Sequence, residues 1–491
     1  MGLKLAMTNN RRGPGLAGDA TMRWMILGLV LLAGSPAVGD DLRVGAAAVP
    51  ITPPVGTPMA GYYDIRPSDG VHDELHAKAV VLERAGARVA LVSLDLIATT
   101  RDMVEEARAE IGRTTGVKGE DVLIGATHAH TGPVLKSRSS RDDSLGAASS
   151  LAVKYNAELP GRIAEAVRKA EAALTPATAS AAIGRESSIA FNRRYHMKDG
   201  SVGWNPGKGN PGILKPAGTI DPDVPFVYFE SADRKPLATY VNYAVHLDNV
   251  GGRKISADVP GVLSRLLADF KGPDMVTIFA AGCCGDVNHL DVRWPEKQGG
   301  FENASRMGII LAAEVLRSWP RLEPVGSGPL KSRSEIVRLT PREFAPGDVD
   351  RARAIVARRS GPIPNRPTFL ESVEAFRVLD VASREGKPYE VEVQAIAIGD
   401  GVAWVSLPGE IFVELGLSIK QDSPFRNTIL VELTNGSIGY VPSRRAYAQG
   451  NYEVVSARCA EGSGERLVDA AGRLLKDLHR ADPGPPKAAG P

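Results

Sequence analysis

Apolar residues along the chain form short runs and longer periodic stretches that predict many strands and helices. Runs that alternate or are continuously apolar predict strands at 43–49, 77–83, 89–97, 122–126, 226–230, 238–245, 276–281, 389–398, 402–407 and 428–433. Apolar positions three and four residues apart predict helices at 101–112, 151–174, 258–270, 304–318, 349–358 and 464–479, and one that follows Glu410 and ends near Lys420. The pattern predicts an α+β fold: a single large domain with mixed and antiparallel sheets layered against helices.

Several polar side chains lie just beyond the ends of predicted strands. His128 and His130 follow one strand, His246 follows a second and Glu410 follows a third. On an extended backbone, residues two apart point to the same side, so both histidines of the pair can face one cleft. Imidazole and carboxylate are ligands that zinc prefers, and the sequence therefore predicts a metal site at strand ends. For the pair alone, a structural role held by backbone hydrogen bonds remains an equal alternative.

The N-terminal region has the pattern of a secretory signal. Three arginines precede an apolar run at 24–33, and small residues then lead to Gly39. We expect residues 1–39 to be a signal peptide cleaved near Gly39 and the protein to be exported, periplasmic or secreted. The polar stretch before Met22 also suggests that translation starts there, and an uncleaved membrane anchor is the alternative. The Pro/Gly/Ala-rich residues 481–491 predict a disordered tail after a domain spanning 40–480.

Composition narrows the class of protein. A chain of 491 residues with 43% hydrophobic content can bury a large core, and 59 basic against 57 acidic residues give a net charge of +2. This balance gives no reason to expect a phosphate-binding face, so nucleic acid is not an expected partner. The sequence does not predict the oligomeric state.

Three cysteines leave two structural alternatives. Cys283 and Cys284 are adjacent, and Cys459 lies far along the chain. One long-range disulfide to Cys459 and three buried or free thiols are about equally consistent with this spacing.

Several segments resemble the neutral/alkaline ceramidase family, in the same order along the chain. They are THAHTGP at 127–133, Asn192-Arg193, NYAVH at 242–246, GDVN at 285–288, PGE at 408–410, GYV at 439–441 and NYE at 451–453, together with the opening segments 45–53 and 59–62. The resemblance spans about residues 43 to 460.

This resemblance implies a set of site residues. Zinc would be held by His128, His246, Glu410 and Tyr440. Three further residues would line the reaction centre, namely His130, Arg193 and Tyr452. His130 or Tyr452 would move protons, and Arg193 would stabilise charge on the carbonyl oxygen. A buried, hydrogen-bonded aromatic is the alternative for Tyr440, and Arg194 is the alternative inward-facing arginine.

Two features depart from the family pattern. Asn288 stands where we expect a serine, and its amide offers hydrogen bonds to a carbonyl but no hydroxyl. The chain also ends soon after the tyrosine motif, without the immunoglobulin-like C-terminal domain of the larger enzymes. Peripheral membrane contact is correspondingly unsupported.

The resulting prediction is an exported zinc-dependent hydrolase that cleaves an N-acyl (amide) linkage of a lipid-like or N-acylated small molecule. A hydrolase of the same fold that acts on an ester or glycosidic bond is the alternative, followed by a non-catalytic zinc-containing binding protein. Among other residues, His72 and His76 have the spacing of a second metal site, but surface or core roles are favoured. Asp286 is expected either to orient a ligand histidine or to form a turn.

Overall fold

A computed structural model describes residues 41–137, 139–359 and 365–480. The strands in chain order are β1 (Arg43–Pro50), β2 (Gly70–Val71), β3 (His76–Arg84), β4 (Ala87–Leu94), β5 (Val122–Ala126), β6 (Thr175–Arg185), β7 (Phe191–Asn192), β8 (Arg194–Met197), β9 (Val202–Trp204), β10 (Ile213–Pro216), β11 (Asp223–Ser231), β12 (Pro236–Tyr243), β13 (Lys254–Ile255), β14 (Val276–Ala281), β15 (Val287–Asn288), β16 (Glu323–Pro324), β17 (Leu330–Leu339), β18 (Tyr389–Ile398), β19 (Val402–Ser406), β20 (Glu410–Ile411), β21 (Asn427–Val431) and β22 (Tyr440–Val441). The α-helices are α1 (Arg101–Thr114), α2 (Ser140–Ser144), α3 (Ser150–Ala172), α4 (Asp258–Lys271), α5 (Phe301–Ser318), α6 (Asp348–Arg358), α7 (Phe369–Ala382), α8 (Val413–Asp422), α9 (Arg444–Tyr447), α10 (Tyr452–Ser456) and α11 (Ser463–His479).

Two sheets carry most of the fold. The larger has the order β14-β12-β11-β6-β1-β3-β4-β5, with β16 added beside β6, and the smaller has the order β17-β18-β19-β21. Most neighbours in both sheets are antiparallel, but β4 and β5, β12 and β14, and β19 and β21 are parallel pairs. The sheets are therefore mixed, as the sequence predicts.

The two sheets pack face to face between layers of helices. One core cluster contains Val44 and Leu82 of the larger sheet together with Trp404 and Ile429 of the smaller one. The outer face of the larger sheet packs on α1, α3, α4 and α5. The outer face of the smaller sheet packs on α8 and α11. The order of layers is helices, sheet, sheet, helices, which confirms the α+β prediction.

Parallel strand pairs explain why polar side chains meet at one place. The carboxyl ends of β12 and β14 lie side by side, because the pair is parallel from Ala238 and Val276 onward. Chain segments that leave such ends share one edge of the sheet, where ligand sites are commonly built. His246 follows β12 and the segment 283–288 follows β14 at this edge.

Most of the longer predicted elements are confirmed, but the strands of two to four residues and the short helices α9 and α10 are not in the sequence prediction. Thr100 caps α1, since its side chain accepts a hydrogen bond from the Met103 amide. Strand β17 and helix α7 are not in the sequence prediction, and α2 lies within a stretch read as a loop. Most residues of β17 are polar and only Leu330, Val337 and Leu339 are buried, whereas α7 is buried on several sides, so neither has a clear amphipathic period.

The cysteines are resolved in favour of the second alternative. Cys283, Cys284 and Cys459 are all free and buried. The long-range disulfide, the other alternative, is therefore excluded for this structure, and the thiols pack as small apolar groups.

The predicted signal peptide and the predicted C-terminal tail lie outside the described residues. In the part of the chain that the structure describes, no helix has the length and hydropathy needed to cross a membrane.

The contact between β1 and α3 makes a test of the fold. A Cβ at Gly45 would overlap the carbonyl oxygen of Ala170 in α3, so we expect Gly45→Ala to destabilise the protein by about 1–3 kcal/mol. Gly161, within α3 itself, faces open space and serves as the control. Gly161→Ala should be neutral or stabilising by up to about 1 kcal/mol. Urea unfolding measures both, and equal stability of the two variants would contradict this packing.

Candidate metal centre

Backbone carbonyls hold the two central histidines in defined orientations. His128 Nδ1 lies 2.7 Å from the carbonyl oxygen of Ile97, and His246 Nδ1 lies 2.9 Å from that of Cys284. A carbonyl only accepts, so each Nδ1 donates and each Nε2 is left with a free lone pair. Both rings are almost fully buried. The two Nε2 atoms are thus ready to bind an electrophile or a metal ion.

The backbone of His128 is strained. Its φ angle is +70°, in the left-handed region that side chains other than glycine rarely adopt. The His128 amide donates to the Leu96 carbonyl at 2.9 Å, and this bond and the ring's own bond to Ile97 hold the conformation. Strain of this kind is concentrated at functional sites.

A carboxylate and a phenol lie against the free imidazole nitrogens. Glu410 Oε2 is 3.7 Å from His128 Nε2 and 3.2 Å from His246 Nε2. Tyr440 Oη is 3.4 Å from His246 Nε2. Glu410 and Tyr440 are paired across the parallel strands β20 and β22, which places them side by side. All four groups predicted as zinc ligands therefore come together.

His130 belongs to the same cluster. Its Nε2 is 3.3 Å from His128 Nε2, and ligand nitrogens of His128, His130 and His246 all lie within 4.8 Å of one another. Its Nδ1 is buried without a hydrogen-bond partner among the described residues. The buried histidine group can hold a metal ion. His130 lies beside the four predicted ligands, where it can serve either as a fifth metal ligand or as a proton acceptor.

The electrostatics of the cluster favour neutral histidines and an ionised glutamate. Burial lowers the pKa of His128 well below its usual value, and it lowers the pKa of His130 to about 4 although the charge of Asp248 opposes it. Burial alone would raise the pKa of Glu410, but its close contacts with His246 and His128 outweigh burial and lower that pKa. Neutral imidazoles beside a carboxylate are the donor set that zinc binds, so the residues fit this ion.

Arg193 reaches the cluster through Tyr440. Its guanidinium carbon is 5.4 Å from the centre of the Tyr440 ring, while Nε and Nη2 donate to Glu453 Oε1 and the Gly285 carbonyl at 2.8 and 2.7 Å. Burial raises the pKa of Tyr440 well above its usual value, and the charge of Arg193 opposes that rise. Arg194 is buried too, and it donates to the other oxygen of Glu453. Both arginines turn inward, and Arg193 is the one that faces the tyrosine ligand.

Tyr452 and Asn288 are placed differently from each other. Tyr452 packs edge-on against Tyr440, with ring centres 5.3 Å apart, and lines the cavity above the histidines. Asn288 is fully buried. Its Nδ2 donates to Asn205 Oδ1 at 3.2 Å, and its Oδ1 accepts from the Leu290 amide at 3.1 Å. Asn288 is not among the described residues that line the cavity, so these contacts indicate a structural use of its amide.

The remaining polar candidates take structural positions. Asp286 accepts hydrogen bonds from the Val413 amide and from Asn192 Nδ2, both at 2.8 Å, so it ties three segments together and orients none of the histidines. His72 stacks on Phe301 at 3.8 Å. Among the described residues, His72 and His76 are not part of a metal-competent group.

The cavity above the histidines is small. Its volume is about 140 Å³, against roughly 300–1,000 Å³ for sites of drug-sized ligands. His128, His130, Glu410, Tyr440 and Tyr452 line it, so the metal-competent group is accessible from this cavity.

Comparison with solved structures identifies the fold. The neutral ceramidase from Pseudomonas aeruginosa superimposes with a TM-score of 0.70 over 90% of this chain and 76% of that chain, at 20% sequence identity. The chain has the neutral ceramidase fold. A second structure, a ceramidase complexed with C2, gives a TM-score of 0.67 over 89% of this chain and 76% of that chain, also at 20% identity. No protein-family model and no curated protein matches the sequence.

Within this ceramidase fold, sequence reasoning missed one buried carboxyl group. Glu432 Oε2 accepts hydrogen bonds from the Cys284 and Ile411 amides at 3.1 and 2.8 Å, and Oε1 accepts from Cys284 Sγ at 2.9 Å. The Cys284 carbonyl accepts from His246, and Ile411 adjoins Glu410, so Glu432 fixes the backbone beneath two of the predicted ligands. The only signal in the sequence is a carboxylate at the end of an apolar strand.

Glu432 provides a test of this support. Burial raises its pKa to about 8, so the group is protonated at neutral pH and glutamine is a close mimic. We expect Glu432→Ala to weaken zinc binding by about 10–100-fold, because two amides lose their acceptor and the ligands above them loosen. Glu432→Gln should stay within a few-fold of wild type. Titration against a zinc-chelating dye measures both, and unchanged affinity in a folded alanine variant would refute the role.

Proposed function

We propose that this protein is an exported zinc-dependent hydrolase that cleaves the N-acyl (amide) linkage of a lipid-like or N-acylated substrate. The convergence of His128, His246, Glu410 and Tyr440 on one small volume carries the proposal. The ceramidase fold supports an amide as the bond. Residues 1–39 lead to the expectation of export.

The residues have distinct parts in this reaction. A Zn²⁺ ion held by the four ligands would supply an acidified water and polarise the scissile carbonyl. His130, beside His128 and neutral, can accept a proton at Nε2. Tyr452 lines the cavity and can donate a proton to the leaving nitrogen. Arg193 favours the ionised form of Tyr440, which makes the phenol a better ligand.

The decisive experiment combines metal content with turnover. We expect the purified protein to contain about one zinc per chain, and His128→Ala and Glu410→Gln to lose the zinc together with at least about 100-fold of the activity. Acyl amides, acyl esters and glycosides are tested in parallel. Glu390→Gln, at an exposed surface ion pair, is the matched control and should keep both zinc and activity.

Three results would decide against the proposal or refine it. Full turnover by a metal-free preparation would refute zinc dependence. Turnover of esters or glycosides without amides would replace the bond that is cleaved. Bound zinc without hydrolysis of any of the three classes would favour a binding protein.

A further inference from the structure

The cavity above the metal-competent group has two chemically different sides. One side is an apolar patch that contains Ala60, Ile97, Val134 and Leu145. Another side carries two arginines, Arg141 and Arg458. A substrate that fills this space therefore meets alkyl groups and guanidinium groups within the same small volume.

Each of these arginines uses one edge of its guanidinium on the protein. Arg141 donates from Nε and Nη2 to Asp142 Oδ1 at 3.2 and 3.1 Å, and Arg458 donates from Nε and Nη2 to Asp380 Oδ2 at 3.1 and 2.9 Å. The carboxylates hold the two side chains in place. For Nη1 of Arg141 and of Arg458, the described residues provide no hydrogen-bond acceptor.

Buried Arg194 shows what a purely structural arginine looks like in this protein. Its Nη1 donates to Glu453 at 2.8 Å, and its Nη2 donates to the Gly450 carbonyl at 3.0 Å and to Gln449 Oε1 at 3.3 Å. Both terminal nitrogens are thus occupied. Arg141 and Arg458 differ because both line the cavity and each has a terminal nitrogen for which the described residues provide no acceptor.

The two guanidinium groups are close enough to interact. The charge of Arg141 opposes the rise in the pKa of Arg458 that Asp380 causes. Two like charges beside one small cavity repel each other, and an anion placed between them would relieve that repulsion. A carboxylate suits this pair, because each of its two oxygens can accept a charge-assisted hydrogen bond from one Nη1.

A larger groove lies beside the cavity. Its volume is about 870 Å³, and it shares Thr100, Ser137, Ser437 and Arg458 with the cavity. Basic and acidic side chains both line it, so the groove itself favours neither charge. The restriction on the size of the acyl group therefore comes from the small cavity at the histidines.

We propose that the substrate is an N-acyl amino acid with a short acyl chain, whose carboxylate is bound by Arg141 and Arg458. The acyl group lies on the apolar patch, and the amide lies at the histidines. This inference rests on the proposed hydrolase function. In the reaction the C–N bond breaks, water supplies the new C–O bond, and a proton from water passes to the leaving nitrogen. The products are a carboxylic acid and an amino acid, and no redox partner is needed.

The test uses a matched pair of small substrates, N-butanoylglycine and N-(2-hydroxyethyl)butanamide, which differ in a carboxylate and a neutral hydroxymethyl group. We expect the zinc-loaded enzyme to prefer the acid by about 10–100-fold in kcat/KM, the contribution of hydrogen bonds to a charged group. Arg141→Gln and Arg458→Gln should each lower this preference by about 10-fold. Arg480→Gln, an exposed arginine beyond α11, is the control and should leave the preference unchanged.

A binding measurement separates this inference from the proposed function. In the Glu410→Gln variant, calorimetry should detect binding of the acid but not of the alcohol, and Arg458→Gln added to it should abolish that binding. If the acid binds through the arginines but no variant hydrolyses anything, the hydrolase proposal fails and the carboxylate site stands. Equal turnover of acid and alcohol by the wild-type enzyme overturns the carboxylate site alone. So does a preference that survives in a folded variant carrying both arginine substitutions.

Discussion

The carbonyl groups of Ile97 and Cys284 accept the Nδ1 protons of His128 and His246, and the rest of the site depends on these two hydrogen bonds. They fix the tautomer, so both Nε2 lone pairs point at Glu410. They also fix the ring orientations, because each carbonyl belongs to a loop held at the end of a strand. Without them, burial would still make the histidines neutral, but the protons could lie on either nitrogen.

Buried carboxyl groups outside the cluster hold these loops. Glu432 accepts hydrogen bonds from the backbone amides of Cys284 and Ile411, and Glu453 accepts hydrogen bonds from Arg193 and Arg194. A buried polar group is costly unless it is hydrogen-bonded, and each of these two side chains has its partners. The network joins segments that are far apart in sequence, so the metal-competent group is a property of the assembled layers and of no single loop.

The fold and the lining of the cavity bear on different parts of the proposed substrate. The proposed hydrolase reaction needs an amide at the histidines, whereas the proposed carboxylate site uses Arg141 and Arg458 in the lining of the same small cavity. Both statements are compatible, since the same scaffold can present different groups around a common reaction centre. The side-chain amide of Asn288 is hydrogen-bonded within the protein, so other residues determine which substrate is bound.

Local patterns in the sequence determined most of the longer strands and helices, and the order of polar residues at strand ends indicated the predicted ligands. Such patterns work because side-chain alternation and helical periodicity are set by neighbouring residues. Tyr440 was predicted as a ligand from the family resemblance and not from the pattern of the neighbouring residues. Strand β17 and helix α7 escaped prediction, since a mostly polar strand and a helix buried on several sides lack a clear period.

Only the tertiary structure decided the contacts between distant segments. Glu410 pairs with Tyr440 across β20 and β22, and Glu432 supports the segment that carries Ile411. The separation of these residues in sequence carries no geometric information. The same is true of the three cysteines, which the structure leaves as free thiols. The same holds for Arg141 and Arg458, which lie 317 residues apart (458 − 141) and share a cavity because the layers bring their loops together. The physical reason is that such contacts are set by the packing of whole sheets and helices, which a local pattern does not encode.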